Sequence, residues 1–164
     1  MTVSFDSNAT HTRKVSAVVL AYDSGSTTLT IGANAKVRLM GGTLDNVGWR
    51  GALTLSNAHD GFTMRNGMAL RNATGTGPGV LNITNSDGTV VGVGGMTLDG
   101  ATVNIGSTAG DTFQVAQGSG AGGSTFTFGS GLTFRHVGQN ASIDLQPNTT
   151  LVNNGLMIAD RAGG

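Results

Sequence analysis

Met96-Thr-Leu-Asp-Gly100-Ala-Thr-Val-Asn-Ile105-Gly-Ser-Thr-Ala-Gly110-Asp-Thr-Phe-Gln-Val115 holds three copies of one small unit. Each copy has two apolar residues at i and i+2, here Met96/Leu98, Val103/Ile105 and Phe113/Val115, beside a turn of Gly, Asn, Asp or Ser. In a strand, i and i+2 face the same side, so each pair points one short strand's side chains into a core. Working outward, the unit recurs upstream at Leu29/Ile31, Val37/Leu39, Leu53/Leu55, Phe62/Met64, Leu81/Ile83 and Val91/Val93. Downstream it recurs at Phe126/Phe128, Leu132/Phe134 and Ile143/Leu145. No helical stretch intervenes. Short strands in unbroken succession predict an all-β chain wound as a parallel β-solenoid (β-helix).

A longer repeat contains the short one. Similar segments start at Thr28, Ala52, Val80, Ala101, Ser124 and Ala141. Their spacing of roughly 20 to 28 residues is a solenoid period. Two or three strands fit in each, which gives about six coils and a prism about 30 Å long. Two Gly-rich stretches, Asn72 to Gly79 and Gln117 to Gly123, interrupt the spacing and read as loops bulging from the coil. An antiparallel sandwich or barrel is the alternative, favoured by hairpin-like turns at Asp87-Gly88 and Asp99-Gly100. Residues 1–26 stand apart as an N-terminal arm or cap. They lack the pair-and-turn pattern and carry the densest apolar run, Val18-Val19-Leu20. Residues 27–164 form the solenoid domain.

Composition narrows the functional classes. The 164 residues include 28 Gly, 22 Thr and 13 Asn, no Glu and two Lys, and the formal net charge is zero. Thr suits strands, while Gly, Asn and Asp suit turns. With 11% charged residues the surface has no electrostatic footprint for nucleic acid and no basic face for an anionic membrane. No apolar run approaches a membrane span, and Val15 to Tyr22 is too short for a convincing signal peptide. The chain has no Cys, which excludes disulfides and thiolate metal sites.

No motif carries chemistry. All nine acidic residues are Asp, mostly beside turns, where backbone capping accounts for them. Asp87, Asp99 and Asp111 recur every 12 residues, near half a coil, so successive members fall on different faces. His11, His59 and His136 have no metal-ligand spacing. The expectation is no catalytic residue, no metal and no cofactor. Gly48-Trp49-Arg50-Gly51 holds the single Trp. It reads either as a packed corner with Arg50 stacked on Trp49, or as an exposed aromatic for a sugar or protein partner.

Thr28-Leu-Thr-Ile-Gly-Ala-Asn-Ala-Lys-Val-Arg-Leu and Asn140-Ala-Ser-Ile-Asp-Leu-Gln-Pro-Asn-Thr-Thr-Leu-Val-Asn-Asn-Gly resemble coils of filamentous haemagglutinin-like and autotransporter adhesins. That resemblance implies a β-helix and a secreted or cell-surface protein. The chain departs from it in having no convincing signal peptide, no outer-membrane barrel and few coils. In size, ends and composition it is also similar to the short β-helical decoration (cement), spike and fibre proteins of tailed phages. That second resemblance implies a homotrimer on the virion surface, assembled in the host cytoplasm, with the major capsid protein or another virion protein as partner. The alternatives are an adhesin fragment at a bacterial surface and a spike that binds or cleaves a surface glycan.

The expected partner contacts are Arg13, Lys14, Val18, Val19, Leu20 and Tyr22 in the arm, with Trp49 and Arg50. Burying the four apolar arm residues contributes roughly 1.5 to 3 kcal/mol for each large side chain. Deleting residues 1–22 is therefore expected to abolish trimer formation or attachment while the rest stays folded, as read by light scattering and circular dichroism. An unfolded product, or an undisturbed trimer that still attaches, would refute that role for the arm.

Overall fold

The computed structural model describes residues 2–4, 13–15, 27–30, 37–118 and 123–160. Among them are sixteen strands and no helix. In chain order these are β1 (Thr2–Ser4), β2 (Arg13–Val15), β3 (Thr27–Thr30), β4 (Val37–Arg50), β5 (Leu53–Leu55), β6 (Gly61–Arg71), β7 (Gly79–Ile83) and β8 (Thr89–Val93). Then follow β9 (Thr97–Leu98), β10 (Ala101–Ile105), β11 (Asp111–Ala116), β12 (Ser124–Phe128), β13 (Thr133–His136), β14 (Ala141–Leu145), β15 (Thr149–Asn153) and β16 (Leu156–Ala159).

All described strand pairings are parallel. The fold is all-β and parallel, and the antiparallel sandwich is excluded. Asp87-Gly88 and Asp99-Gly100 do not reverse the chain along one sheet; each carries it into another sheet. Among the described residues, antiparallel contact is confined to two isolated bridges, Arg71–Pro78 and Ser107–Asn140. One sheet runs β1-β3-β4-β6-β8-β11-β14, with β2 also on β4. A second runs β5-β7-β10-β13-β16, and a third β9-β12-β15. Parallel neighbours require the chain to leave and return by another route. From β8 onward that route is a constant rotation through the first, third and second sheets.

Parallel register stacks interior side chains in columns. Leu53, Leu81, Val103, Phe134 and Met157 are register partners in the second sheet. Phe62, Val90, Phe113 and Ile143 form a column of the first. The pairs expected in the core are buried at Leu53/Leu55, Phe62/Met64, Leu81/Ile83, Met96/Leu98, Val103/Ile105, Phe113/Val115, Phe126/Phe128 and Leu132/Phe134. One pair is corrected. The interior residues of β8 are Val90 and Gly92, while Val91 and Val93 are half-buried on the other face. Gly92 stands in the Met64–Val115 column, and a Cβ on it would overlap the ring of Phe126, which fills its place. Val47, Trp49, Met68 and Leu70 also join the core. They come from two long strands, β4 and β6, which bend where Asn46, Asn66 and Gly67 take left-handed backbone angles.

The first sheet meets the others through aromatic rings. Phe113 makes edge contacts with Phe126, Phe128 and Phe134 at centroid distances of 5.7, 5.5 and 5.7 Å. Phe128 stacks on Phe134 at 5.2 Å. Such pairs contribute about 0.5–1.5 kcal/mol each beyond their burial. Phe113→Ala is therefore expected to cost about 3–5 kcal/mol in urea unfolding. Thr112→Ala, whose hydroxyl bonds the Ser142 hydroxyl at the surface, should stay within about 0.5 kcal/mol.

Candidate functional site

The three sheets end together. β14, β15 and β16 follow one another in the chain, and each is the last strand of its sheet. Among the described residues nothing pairs with their outer edges. An unpaired edge presents a row of free backbone N–H and C=O groups. The interior columns end here too. Val115 is fully buried, but Leu145, its partner in β14, is 47% exposed. Phe134 is buried, and Met157 beyond it in β16 is also 47% exposed.

Between the first and second sheets this end opens into a cavity of about 340 Å³. Its walls include Ile105, Phe134, Ile143 and Met157, with His136 as a polar member. His136 occupies an interior register position between Ile105 and Ala159, and its Nε2 is buried with no hydrogen-bond partner. Charge is nearly absent. Asp144 is the single ionisable side chain between residues 141 and 159, and it accepts a 2.8 Å hydrogen bond from Gln114 Nε2. At the border, Arg135 Nε donates to Asp160 at 2.6 Å. The arrangement suits apolar contact combined with strand pairing.

A second polar cluster sits at the corner entering the first sheet. Asp60, Gly88 and Asp111 occupy equivalent places there: Asp60 precedes the Gly61–Thr89 register pair, and Gly88 and Asp111 precede the Thr89–Thr112 pair. Asp60 Oδ2 accepts from Asn57 N and Nδ2. Asp111 Oδ1 accepts from Gly88 N at 2.8 Å. Asn85 Nδ2 donates to the Asn57 carbonyl, and its side chain fills the space left by the missing Cβ of Gly88. These aspartates hold corner backbone, as their Gly neighbours predicted. Asp99 does the same at another corner, accepting from Gly100 N and Gly131 N. The cluster is not fully satisfied, because Asn85 Oδ1 and Asp111 Oδ2 are buried without a donor in hydrogen-bonding geometry. Burial pushes the Asp111 carboxyl above its ordinary range, and the nearby Asp87 carboxylate adds to that. The Gly88 N–H, the Ser107 hydroxyl and the Gly106 N–H pull the other way.

The expected contact residues are scattered. Arg13 and Lys14 lie in β2, in register with Val37 and Arg38 of β4. Val18, Val19, Leu20 and Tyr22 lie outside the described residues, as does most of the expected arm. Trp49 is 1% exposed, in register with Leu70 inside the core, so it is corrected from a surface contact to a packing residue. Buried Leu70 beside it packs on the apolar ring, while the indole N–H is buried without an acceptor. Arg50 is exposed, with its guanidinium over Gly75 of the 72–77 loop. His59 is also exposed, 3.9 Å from Asp87. The terminal residues Leu145 and Met157 were not among the expected contacts. The available signal was the near absence of charge from 141 to 159.

No protein-family model, no curated protein and no solved structure matches the chain.

The two shifted aspartates act on stability with opposite signs. The Asp45 carboxyl is held below its ordinary value, chiefly by the hydrogen bonds from Arg65. Its contribution is present above pH 3.8 and is lost as pH falls through the lower folded value. Asp111 is raised, so its contribution is full below pH 3.8 and is lost as pH rises through the higher folded value. Urea midpoints taken from acid to neutral pH should show Asp45→Asn reducing the acid-side loss of stability. Asp111→Asn should remove a fall on the rising side and equal or exceed the parent at neutral pH. A parent more stable than Asp111→Asn at neutral pH by as much as at acid pH would refute this.

Proposed function

We propose that this is a short parallel β-solenoid of about six coils with a non-enzymatic, structural role. The reading favoured is a trimeric decoration (cement), fibre or spike component on the surface of a phage virion, with the major capsid protein or another virion protein as partner. The observation that carries the structural role is parallel register, kept in every described strand pair and shifted within β4–β6. In each sheet a strand is tied along its length to the strand before it, and interior columns lock the sheets together. A body built this way resists bending and offers flat faces at fixed spacing.

Outward-facing side chains support the same reading, because they bond to one another across strands. Asn82 Nδ2 donates to Thr54 Oγ1 at 2.9 Å, and Asn104 Nδ2 to Asn82 Oδ1 at 2.7 Å. Asp45 accepts from Arg65 and Asn66. Such ladders order the surface without concentrating charge, which suits many shallow contacts with a neighbour more than tight capture of one charged ligand. The mechanism is geometric: rigid copies bridge neighbouring subunits of a shell, and the sum of weak contacts holds it.

Light scattering on the purified chain should give a mass of three copies, or a multiple of three. The protein added to particles stripped of surface proteins should co-sediment with them and raise their disruption temperature. A monomer at every concentration, or no particle binding, would refute this reading. Release of reducing sugar from a surface polysaccharide would replace it with an enzymatic spike.

A further inference from the structure

We infer that Arg50 and Arg71 form a two-guanidinium seat for the carboxylates of an acidic segment on a partner protein. This rests on the partner-bound structural role proposed above and names the chemistry of the partner's surface. The two residues are register partners at the ends of β4 and β6. Register partners in a parallel sheet point the same way, with backbones about 4.8 Å apart. Both residues are exposed. Like charges set side by side on one sheet face repel, and that repulsion is relieved when an opposite charge lies across them.

The same pair of strands shows how charge is otherwise handled here. Asp45 of β4 is the register partner of Arg65 of β6, and Arg65 Nη2 lies 2.6 Å from Asp45 Oδ2. Arg135 is paired as well, with Asp160 at 2.6 Å. The guanidiniums of Arg50 and Arg71 have no ion pair or hydrogen bond among the described residues. Asp99, beside Gly100, gives its Oδ1 to Gly100 N and Gly131 N and forms no ion pair with Arg71.

Each guanidinium is seated against a glycine. A Cβ on Gly75 would fall 2.9 Å from Arg50 Cζ, and one on Gly100 would fall 3.1 Å from Arg71 Nη1. Both glycines have left-handed backbone angles, with φ of +79 and +58°. The loop carrying Gly75 is fixed from within. Asn72 Oδ1 accepts from Thr74 Oγ1 and Thr76 N, and the Asn72 carbonyl accepts from Gly75 N. The Thr74 proton is used on Asn72, so in the Thr74–Thr76 contact Thr76 donates. Both hydroxyl protons stay inside the loop, and the donors left for an anion are the guanidinium N–H groups. Seated arginines lose less freedom on binding than free ones, and their planar forks match carboxylates.

Two features select the class of occupant. Both arginines are exposed, so nothing encloses a small free anion, and the occupant must bring its own bulk. A polyanion such as a nucleic acid carries charge at every repeat and calls for a run of cations. Here no residue from Gly51 to Ala58 or from Asn72 to Ser86 is charged. Two neighbouring carboxylates on a protein surface match two neighbouring arginines in a neutral setting.

The test is a titration of the isotope-labelled full chain with hexaglutamate peptide at neutral pH and low salt, read by NMR at the arginine Nε–H signals. Arg50 and Arg71 should shift together and saturate. Arg65 and Arg135 should stay in place, and hexaglutamine should move none of them. Arg50→Gln and Arg71→Gln should each weaken the peptide by roughly two- to fivefold. Salt at about 0.5 M should abolish the shifts. The Arg50→Lys, Arg71→Lys variant keeps the charge without the forks and should also bind more weakly than the parent. Should a variant not fold, the parent's own signals decide.

No shift at Arg50 and Arg71, or equal shifts at all four arginines, would overturn the inference. Tighter binding of a sulfated oligosaccharide of equal charge would overturn it in favour of a glycan. A response seen only after Asp6→Asn and Asp23→Asn would overturn it in favour of the chain's own carboxylates. Particle binding keeps this inference apart from the proposed function. A parent that does not bind particles refutes the structural reading, whatever the peptide does. An Arg50→Gln, Arg71→Gln variant that binds particles as tightly as the parent refutes the seat alone.

Discussion

Parallel register is the constraint on which everything else in this protein depends. When strand follows strand in the same direction and in step, each interior residue lies over the interior residue of the strand before it. Leu53, Leu81, Val103 and Phe134 are bound in this way, and a change of size at one place is felt at the next. Gly92 shows how close the fit is. It is the one position of its column without a side chain, and the ring of Phe126 from another sheet occupies the gap. The phenylalanines do the joining work because a ring can touch three neighbours by its edges while one face stays packed.

The same constraint explains the corners. A chain that turns from one sheet to another leaves backbone N–H groups outside the strand ladders, and these need acceptors. Asp60, Asp99 and Asp111 supply them, each bonding either its own turn or the turn of the neighbouring strand. Short side chains suffice because the corners stack as closely as the strands. The cost appears at Asp111, whose burial pushes its carboxyl above the ordinary range despite the donors around it. It is the place where the demands of stacking and of solvation conflict most openly.

Stacking also creates the exposed end. Every internal strand is satisfied by the two beside it, but among the described residues the last in each sheet has one neighbour. The residues there obey the interior pattern and still meet solvent, as Leu145 and Met157 do.

Much of the fold was legible in the residues. The i, i+2 pairs located most strands and most of the core, because alternation of side chains in a strand is a local property. Turn chemistry located the corners, since Asp beside Gly is a local preference as well. Other features depended on neighbours distant in sequence. Val91 and Val93 form as good a pair as Val90 and Gly92 do not, and only the ring of Phe126 decided which face of β8 turns inward. Trp49 could be read as a packed corner or as an exposed aromatic, and its register with Leu70 placed it in the core. Parallel pairing was expected from the solenoid period, although an Asp-Gly turn by itself serves a hairpin or a corner equally well. The sequence by itself determined that short strands with one apolar face follow one another without helices, through the preferences of single residues. The face that β8 turns inward and the placement of Trp49 were settled only by tertiary structure, because each depends on which strand lies beside which.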